Sequence, residues 1–104
     1  MHKSDIDYII LRILKDNPKI TQRQLSKELG LSLGRTNYVI HALIDKGLVK
    51  LSNFKRSDNR LGYTYILTPK GIADKSVLAK KFLRRKSEEY NRLKEEIEIL
   101  KNEL

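Results

Sequence analysis

The sequence predicts a mainly helical α+β protein with one small β-hairpin and a long C-terminal helix. Apolar residues recur at helical spacing in three segments before Gly47. Two short runs with strand character then flank a polar segment, and no proline follows Pro69. A chain of 104 residues suits one compact domain.

The first predicted helix runs from Ser4 to Asn17. Its apolar residues share one face: Ile6, Ile9, Ile10, Ile13 and Leu14. We expect Ser4 to cap this helix, with Asp7 as its capping-box partner. Pro18 cannot continue a helix. This helix is therefore expected to belong to the core.

Two further helices follow in quick succession. Thr21 and Gln24 form a capping-box pattern at the start of the second helix, and Gly30 supplies the left-handed residue that ends it. Ser32 is expected to cap the third helix, which stops at Gly47. A short helix, a glycine-containing turn and a longer helix form a helix-turn-helix arrangement, although a plain helical bundle would contain the same elements.

The segment after the third helix favours the helix-turn-helix. The run GLVKLSNF indicates a short strand, and the run KRSDNRLG after it is polar and basic. The next run, YTYILT, has an alternating pattern and is rich in β-branched and aromatic residues, which indicates a second strand. Two strands around a basic loop, directly after a helix-turn-helix, make a β-wing. The sequence thus predicts a winged helix-turn-helix domain in residues 1–71.

Residues 72–104 are predicted to form one long helix that dimerises. Thr68 is expected to cap it, with Pro69 at the first helical position. From Pro69 to Leu104 the helix would be about 54 Å long, too long to bury itself on so small a domain. Residues along one face follow spacings of 4 and 3, which is the heptad pattern, although Lys86 falls at a d position and weakens the seam above Tyr90. The seam residues are Leu83, Tyr90, Leu93, Ile97, Leu100 and Leu104.

The charges beside this seam favour a parallel homodimer. Glu89 and Glu96 fall at the g positions, and Lys94 and Lys101 fall at the e positions. In a parallel pair each glutamate would face a lysine of the partner, whereas an antiparallel pair would set like charges together. A helix that folds back on its own or its partner's domain is the alternative.

The charge distribution points to a polyanionic partner. The net charge is +9, and residues 1–71 hold 13 basic and 6 acidic residues. A basic surface of this size suits nucleic acid, although charge also serves solubility. The chain has no cysteine, which excludes disulfides and thiolate metal sites and fits a reducing cytoplasm.

Other function classes find no support in the sequence. No segment approaches the ~20 apolar residues of a membrane span, and no signal-peptide pattern is present. No catalytic motif, phosphate-binding glycine loop or metal-ligand cluster occurs. We therefore expect a soluble cytoplasmic protein that is not an enzyme and needs no cofactor or metal.

Two segments carry a family resemblance. SLGRTNYVIHALIDKGLVK looks like the recognition helix and first wing strand of bacterial winged-helix regulators. SDNRLGYTYILTPKG resembles the wing of the MarR family, with its Asp-x-Arg tip and Leu-Thr-x-Lys-Gly exit. The matching residues are Asp58, Arg60, Leu67, Thr68, Lys70 and Gly71.

The likeness covers about residues 5–72. The whole chain is similar to the MarR family EPS-associated transcriptional regulators, which implies a link to exopolysaccharide genes. Full-length MarR proteins have extra helices at both ends that frame a small-molecule pocket. This sequence has one C-terminal helix only, so we do not expect an effector.

A recognition helix enters the major groove by its N-terminal half. The candidates there, which we expect to face solvent, are Ser32, Gly34, Arg35, Asn37, Tyr38 and His41. Arg35 can pair with guanine and Asn37 with adenine, each in bidentate fashion; phosphate contact or simple exposure is the alternative for both. Gly34 would admit a close approach of the DNA backbone. Tyr38 suits a phosphate or a thymine methyl, and His41 suits a phosphate or an inert surface position.

Flanking contacts are expected from the second helix and from the wing. Thr21, Gln22 and Arg23 stand at a helix N-terminus, where free amides bind phosphate. Lys55, Arg56 and Arg60 are the cations of the wing. The MarR resemblance implies that Arg60 enters the minor groove while Asp58 orients it, and a narrow A·T-rich groove would favour that arginine. A solvated hairpin tip is the alternative.

The sequence therefore predicts a homodimeric transcription regulator that binds palindromic double-stranded DNA, with two recognition helices about 34–36 Å apart. The alternative is a winged-helix protein-interaction module without DNA readout. The basic charge and the Asp-x-Arg wing favour the first.

Overall fold

The protein is described by a computed structural model that covers residues 2–55 and 61–104. The elements in chain order are α1 (Lys3–Asp16), α2 (Gln22–Leu29), α3 (Leu33–Asp45), β1 (Val49–Lys55), β2 (Leu61–Leu67) and α4 (Pro69–Glu103). The predicted winged helix-turn-helix architecture with a long C-terminal helix is confirmed. In the described part of the chain no helix is long and apolar enough to cross a membrane.

The start of α1 differs from the prediction. His2 is the N-cap, and its Nδ1 accepts a hydrogen bond from the Ser4 backbone N–H at 3.2 Å. The capping box expected from Ser4 and Asp7 is therefore wrong. The Ser4 hydroxyl is instead held between His2 Nδ1 and the guanidinium of Arg85, at 2.9 and 2.6 Å. An imidazole nitrogen is an acceptor like a hydroxyl oxygen, and the sequence rule for caps overlooked it.

The core lies where α1 meets the other elements of the winged domain. Its members share a relative exposure of 5% or less: Ile6, Ile10, Leu11, Leu14, Ile20, Leu25, Ile40, Leu43, Leu48, Val49 and Tyr65. The predicted apolar face of α1 points inward, and α1 supplies four of these residues. Every other helix or strand except α4 supplies at least one. Burial of this apolar surface holds α2, α3 and the hairpin together.

Local capping fixes the turn between α2 and α3. Thr21 Oγ1 accepts from Gln24 N at 3.1 Å while Gln24 Oε1 accepts from Thr21 N at 3.0 Å, so the predicted capping box is present. Gly30 ends α2 at φ 67°, in the left-handed region that favours glycine. Ser32 Oγ accepts from Arg35 N at 3.1 Å and starts α3 as predicted.

The hairpin is an antiparallel pair in which Val49 faces Leu67 and Lys55 faces Leu61. Tyr65 attaches it to the helices. Its ring is buried, and its backbone N–H donates to the carbonyl of Pro18 at 2.8 Å. The base of the wing is thereby fixed to the turn that precedes α2.

The joint between the wing and α4 explains the Leu-Thr-x-Lys-Gly motif. Thr68 Oγ1 donates to the Gly47 carbonyl at 2.5 Å and accepts from Gly71 N at 3.0 Å. Lys70 Nζ donates to a carbonyl at the end of α3, at 3.1 Å. A Cβ on Gly71 would lie 2.0 Å from the Leu48 carbonyl oxygen. The motif therefore lets the first turn of α4 sit directly against the α3–β1 turn.

The first half of α4 packs along α1, and the second half stands away from the domain. The Tyr8 and Phe82 rings lie 5.1 Å apart, and Arg85 Nη1 donates to Asp5 Oδ1 at 2.6 Å. From Lys86 onward every residue is exposed. The molecule consequently measures 63 Å along its longest axis but only 28 and 22 Å along the others.

Candidate nucleic-acid interface

One face of α3 is turned to solvent along its N-terminal half. Arg35, Tyr38 and His41 recur three residues apart and are all exposed, with 73% of Tyr38 accessible. Residues at this spacing share a helix face. Within the described ranges Arg35 has no ion pair or side-chain hydrogen bond. Its guanidinium is therefore available to an external acceptor.

The first turn of α3 is open as well. A Cβ built on Gly34 would meet no atom within 4 Å, so packing inside the chain does not require glycine there. The Ser32 oxygen is engaged by the Arg35 amide, which leaves its hydroxyl proton for another acceptor. Both features leave room for a ligand at this end of the helix.

Asn37 differs from its neighbours on α3. We expected it to face solvent freely, but it is half-buried and its Nδ2 donates to Gln22 Oε1 at 2.9 Å. Gln22 Nε2 in turn donates to the Tyr65 hydroxyl at 3.3 Å. The sequence did not single out Tyr65. These contacts join residues 15 and 43 positions apart, which no local pattern reveals.

The N-terminus of α2 presents two free backbone donors. The first backbone N–H groups of a helix have no carbonyl one turn earlier to which they can donate. Thr21 accepts from the amides of Gln24 and Leu25, which leaves those of Gln22 and Arg23 without a partner among the described residues. Arg23 is exposed, whereas the Gln22 side chain turns inward. A phosphate at this end would meet the amides and Arg23 rather than the Gln22 side chain.

The predicted wing contacts fall at the edge of what the structure describes. Lys55 is the last residue of β1, and its backbone pairs with Leu61. Arg56, Asp58 and Arg60 lie outside the described residues. The described ends of the two strands, Lys55 and Leu61, lie at the far end of the hairpin from the α4 joint.

A groove of about 380 Å³ runs between α1 and α3 and includes Arg35 and Tyr38 of the exposed α3 face. It is lined by Lys3, Ile6, Asp7, Arg35, Tyr38 and Val39. Burial raises the pKa of the Asp7 carboxyl above its ordinary value, while the charges of Lys46 and Lys3 oppose the rise. In the part of the chain that the structure describes, no three His, Cys, Asp or Glu side chains come together as a metal site would need.

The predicted seam of α4 is uncovered in the single chain. Its apolar side chains are 43% to 107% accessible: Leu83, Tyr90, Leu93, Ile97, Leu100 and Leu104. All of them except Leu83 lie beyond Lys86, in the part of α4 in which every residue is exposed. Packing against the domain therefore leaves the seam free for a partner.

Comparison with known proteins agrees with this architecture. Residues 3–50 match a family model described as winged helix-turn-helix DNA-binding. A MarR protein from Peptoclostridium difficile superposes with a TM-score of 0.67 at 25% identity, over 82% of this chain and 54% of that one. A MarR transcriptional regulator from Methanosarcina mazei gives 0.56 at 25% identity, over 89% and 74%.

A third structure supports the fold alone. The adhesin competence repressor of Streptococcus pyogenes superposes with a TM-score of 0.61 at 24% identity, over 86% of this chain and 63% of that one. The chain thus spans between about half and two thirds of the length of the Peptoclostridium and Streptococcus structures. A search of curated protein sequences gave no significant match.

Proposed function

We propose that this chain, a winged helix-turn-helix protein of the MarR type by its structural neighbours, is a transcription regulator that binds palindromic double-stranded DNA as a homodimer. The observation that carries the proposal is the recognition face of α3. It offers an arginine without a partner among the described residues, an open first turn and an exposed tyrosine and histidine. Such a face has the dimensions and donors that the major groove accepts.

In this proposal Arg35 pairs with guanine O6 and N7, and Asn37 reads adenine. Ser32, Tyr38 and His41 support the helix by contacts to phosphates or to a thymine methyl, while Gly34 lets a strand approach. The α2 amides with Thr21 and Arg23 hold a second phosphate. The wing cations, with Arg60 oriented by Asp58, would follow the minor groove. The function is binding rather than catalysis, in keeping with the regulators that the chain resembles.

Residues 72–104 form the dimerisation part in this proposal, and residues 1–71 the DNA-binding part. A helix whose last 18 residues are all exposed, with an apolar stripe at heptad spacing, gains by pairing with a second copy. The partner's Lys94 would face Glu89 and the partner's Lys101 would face Glu96. The resemblance to EPS-associated regulators adds exopolysaccharide genes as proposed targets.

Competition binding with two variants tests the DNA proposal. Arg35→Ala should lose discrimination at one base pair, by about 1–3 kcal/mol. Lys55→Ala should weaken all sequences alike and reduce the salt slope by about one. Affinity of the wild type should fall by orders of magnitude from low to moderate salt. DNA binding that ignores salt would contradict the proposal and leave a protein-docking module as the better account.

A further inference from the structure

We propose that Gln22 and Tyr65 are positioning residues that hold the Asn37 amide in one orientation, and that this orientation makes the protein select adenine at the base pair that Asn37 faces. The inference rests on the proposed DNA-binding function and deepens it. It assigns specificity to two residues that lie behind the recognition helix, one of them in the wing.

The three side chains form a chain of hydrogen bonds across three elements. Asn37 Nδ2 of α3 donates to Gln22 Oε1 of α2 at 2.9 Å, and Gln22 Nε2 donates to the Tyr65 hydroxyl of β2 at 3.3 Å. Both amides are half-buried, and Tyr65 is 5% exposed. Hydrogen bonds that are partly shielded from water hold a side chain more firmly than solvent-exposed hydrogen bonds do.

The two positioning residues stand on rigid supports. Tyr65 is fixed by its buried ring and by the bond from its amide to the Pro18 carbonyl. Gln22 is the first residue of α2, directly after the Thr21 capping box. Its backbone is therefore set by local capping, and its amide is bonded through both the oxygen and the nitrogen.

The hydrogen-bond inventory of Asn37 decides which base it can read. The amide has two N–H donors and one carbonyl acceptor. One donor goes to Gln22, and the other donor and the acceptor have no partner among the described residues. A donor beside an acceptor matches adenine N7 and N6 in the major groove. Turned over, Asn37 would bond Gln22 through its oxygen, and its free donor and acceptor would exchange places, so that the amide no longer matches adenine N7 and N6.

Two substitutions at residue 22 separate orientation from simple packing. In Gln22→Glu the carboxylate only accepts, so Asn37 must still donate to it and the adenine preference survives. The added charge near the α2 phosphate site lowers affinity for every sequence. In Gln22→Met a side chain of similar length offers no acceptor, so the Asn37 amide is released. Tyr65→Phe weakens the same anchor from its far end.

The test begins with a binding site selected by the wild type from random duplexes. The base pair at which Asn37→Ala loses preference identifies the position that Asn37 reads. At that position we expect the wild type to favour adenine over guanine by about tenfold or more. Gln22→Met should reduce this ratio to about twofold, Tyr65→Phe should reduce it partly, and Gln22→Glu should keep it while binding all duplexes more weakly. Glu28→Gln, an exposed change on α2, is the matched control and should keep both ratio and affinity.

Several results would overturn the inference alone: a preference for guanine at that position, a full adenine preference in both Gln22→Met and Tyr65→Phe, or an Asn37→Ala variant that weakens every duplex equally. If Tyr65→Phe does not fold, as judged by circular dichroism, the two Gln22 variants decide. A wild type that selects no sequence would instead overturn the proposed function, and the inference with it.

Discussion

Gly71→Ala is a sharp test of how α4 joins the winged domain. The added Cβ would lie 2.0 Å from the carbonyl oxygen of Leu48, 2.9 Å from its carbonyl carbon and 3.3 Å from its Cα. All three are backbone atoms of a core residue that is 4% exposed. The same carbonyl accepts the Thr68 amide at 3.0 Å. No flexible side chain can move aside, so the first turn of α4 must shift.

The cost follows from terms of known size. Overpacking against a fixed neighbour costs about 1–3 kcal/mol, and weakening the hydrogen bond between Thr68 and Leu48 adds about 1 kcal/mol. The helix propensity of alanine returns up to about 1 kcal/mol. We expect a net loss of about 1–3 kcal/mol in the free energy of unfolding, or roughly 4–24 °C in Tm.

Urea unfolding followed by circular dichroism measures this loss, with all variants at one concentration because dimer stability depends on concentration. Gly34→Ala is the matched control: it is also a helical glycine, but its Cβ would meet nothing within 4 Å. It should be stabilised by up to about 1 kcal/mol. A Gly71→Ala protein within about 0.5 kcal/mol of wild type, the range of an ordinary surface change, would refute the described packing.

Three further predictions concern charge and assembly. Because burial raises the pKa of Asp7, its ionised form destabilises the fold, and this penalty disappears once the carboxyl is protonated. Asp7→Asn should therefore raise Tm at pH 7, with the gain vanishing below about pH 3.8, and an equal gain at both pH values would contradict this. Arg85→Ala should lower the free energy of unfolding in urea by about 1–3 kcal/mol because it leaves the Asp5 carboxylate without its partner. The exposed neighbour Arg84 should tolerate alanine within about 0.5 kcal/mol. Equal costs for the two variants would show that the Arg85–Asp5 ion pair does not stabilise the fold. A chain truncated after Lys86 should sediment as a monomer, and a truncated chain that stays fully dimeric would refute the α4 seam.

The features that the sequence predicted well depend on near neighbours along the chain. The Thr21–Gln24 box, the left-handed Gly30 and the Ser32 cap each involve residues within a few positions. Their physics is local, so the residue types suffice. The α1 cap is also local, but the cap pattern contains only side-chain oxygens, whereas His2 accepts through a ring nitrogen.

The features that escaped prediction depend on distant neighbours. The helix position of Asn37 predicts a free surface residue, yet Gln22 of α2 bonds it and is in turn bonded to Tyr65 of β2. Gly71 was recognised as part of a motif, but the reason for glycine is the Leu48 carbonyl more than twenty positions earlier. Only the assembled fold brings such groups together.

Selection of bound fragments from the source genome tests the central claim most directly, since the claim is that two copies of α3 read one DNA site. The account predicts enrichment of an inverted repeat whose half-site centres lie about 10–10.5 base pairs apart. It also predicts that the selected site binds at least about 10³-fold more tightly than random DNA at physiological salt. Failure to enrich any sequence, or enrichment of single half-sites without two-fold symmetry, would contradict it.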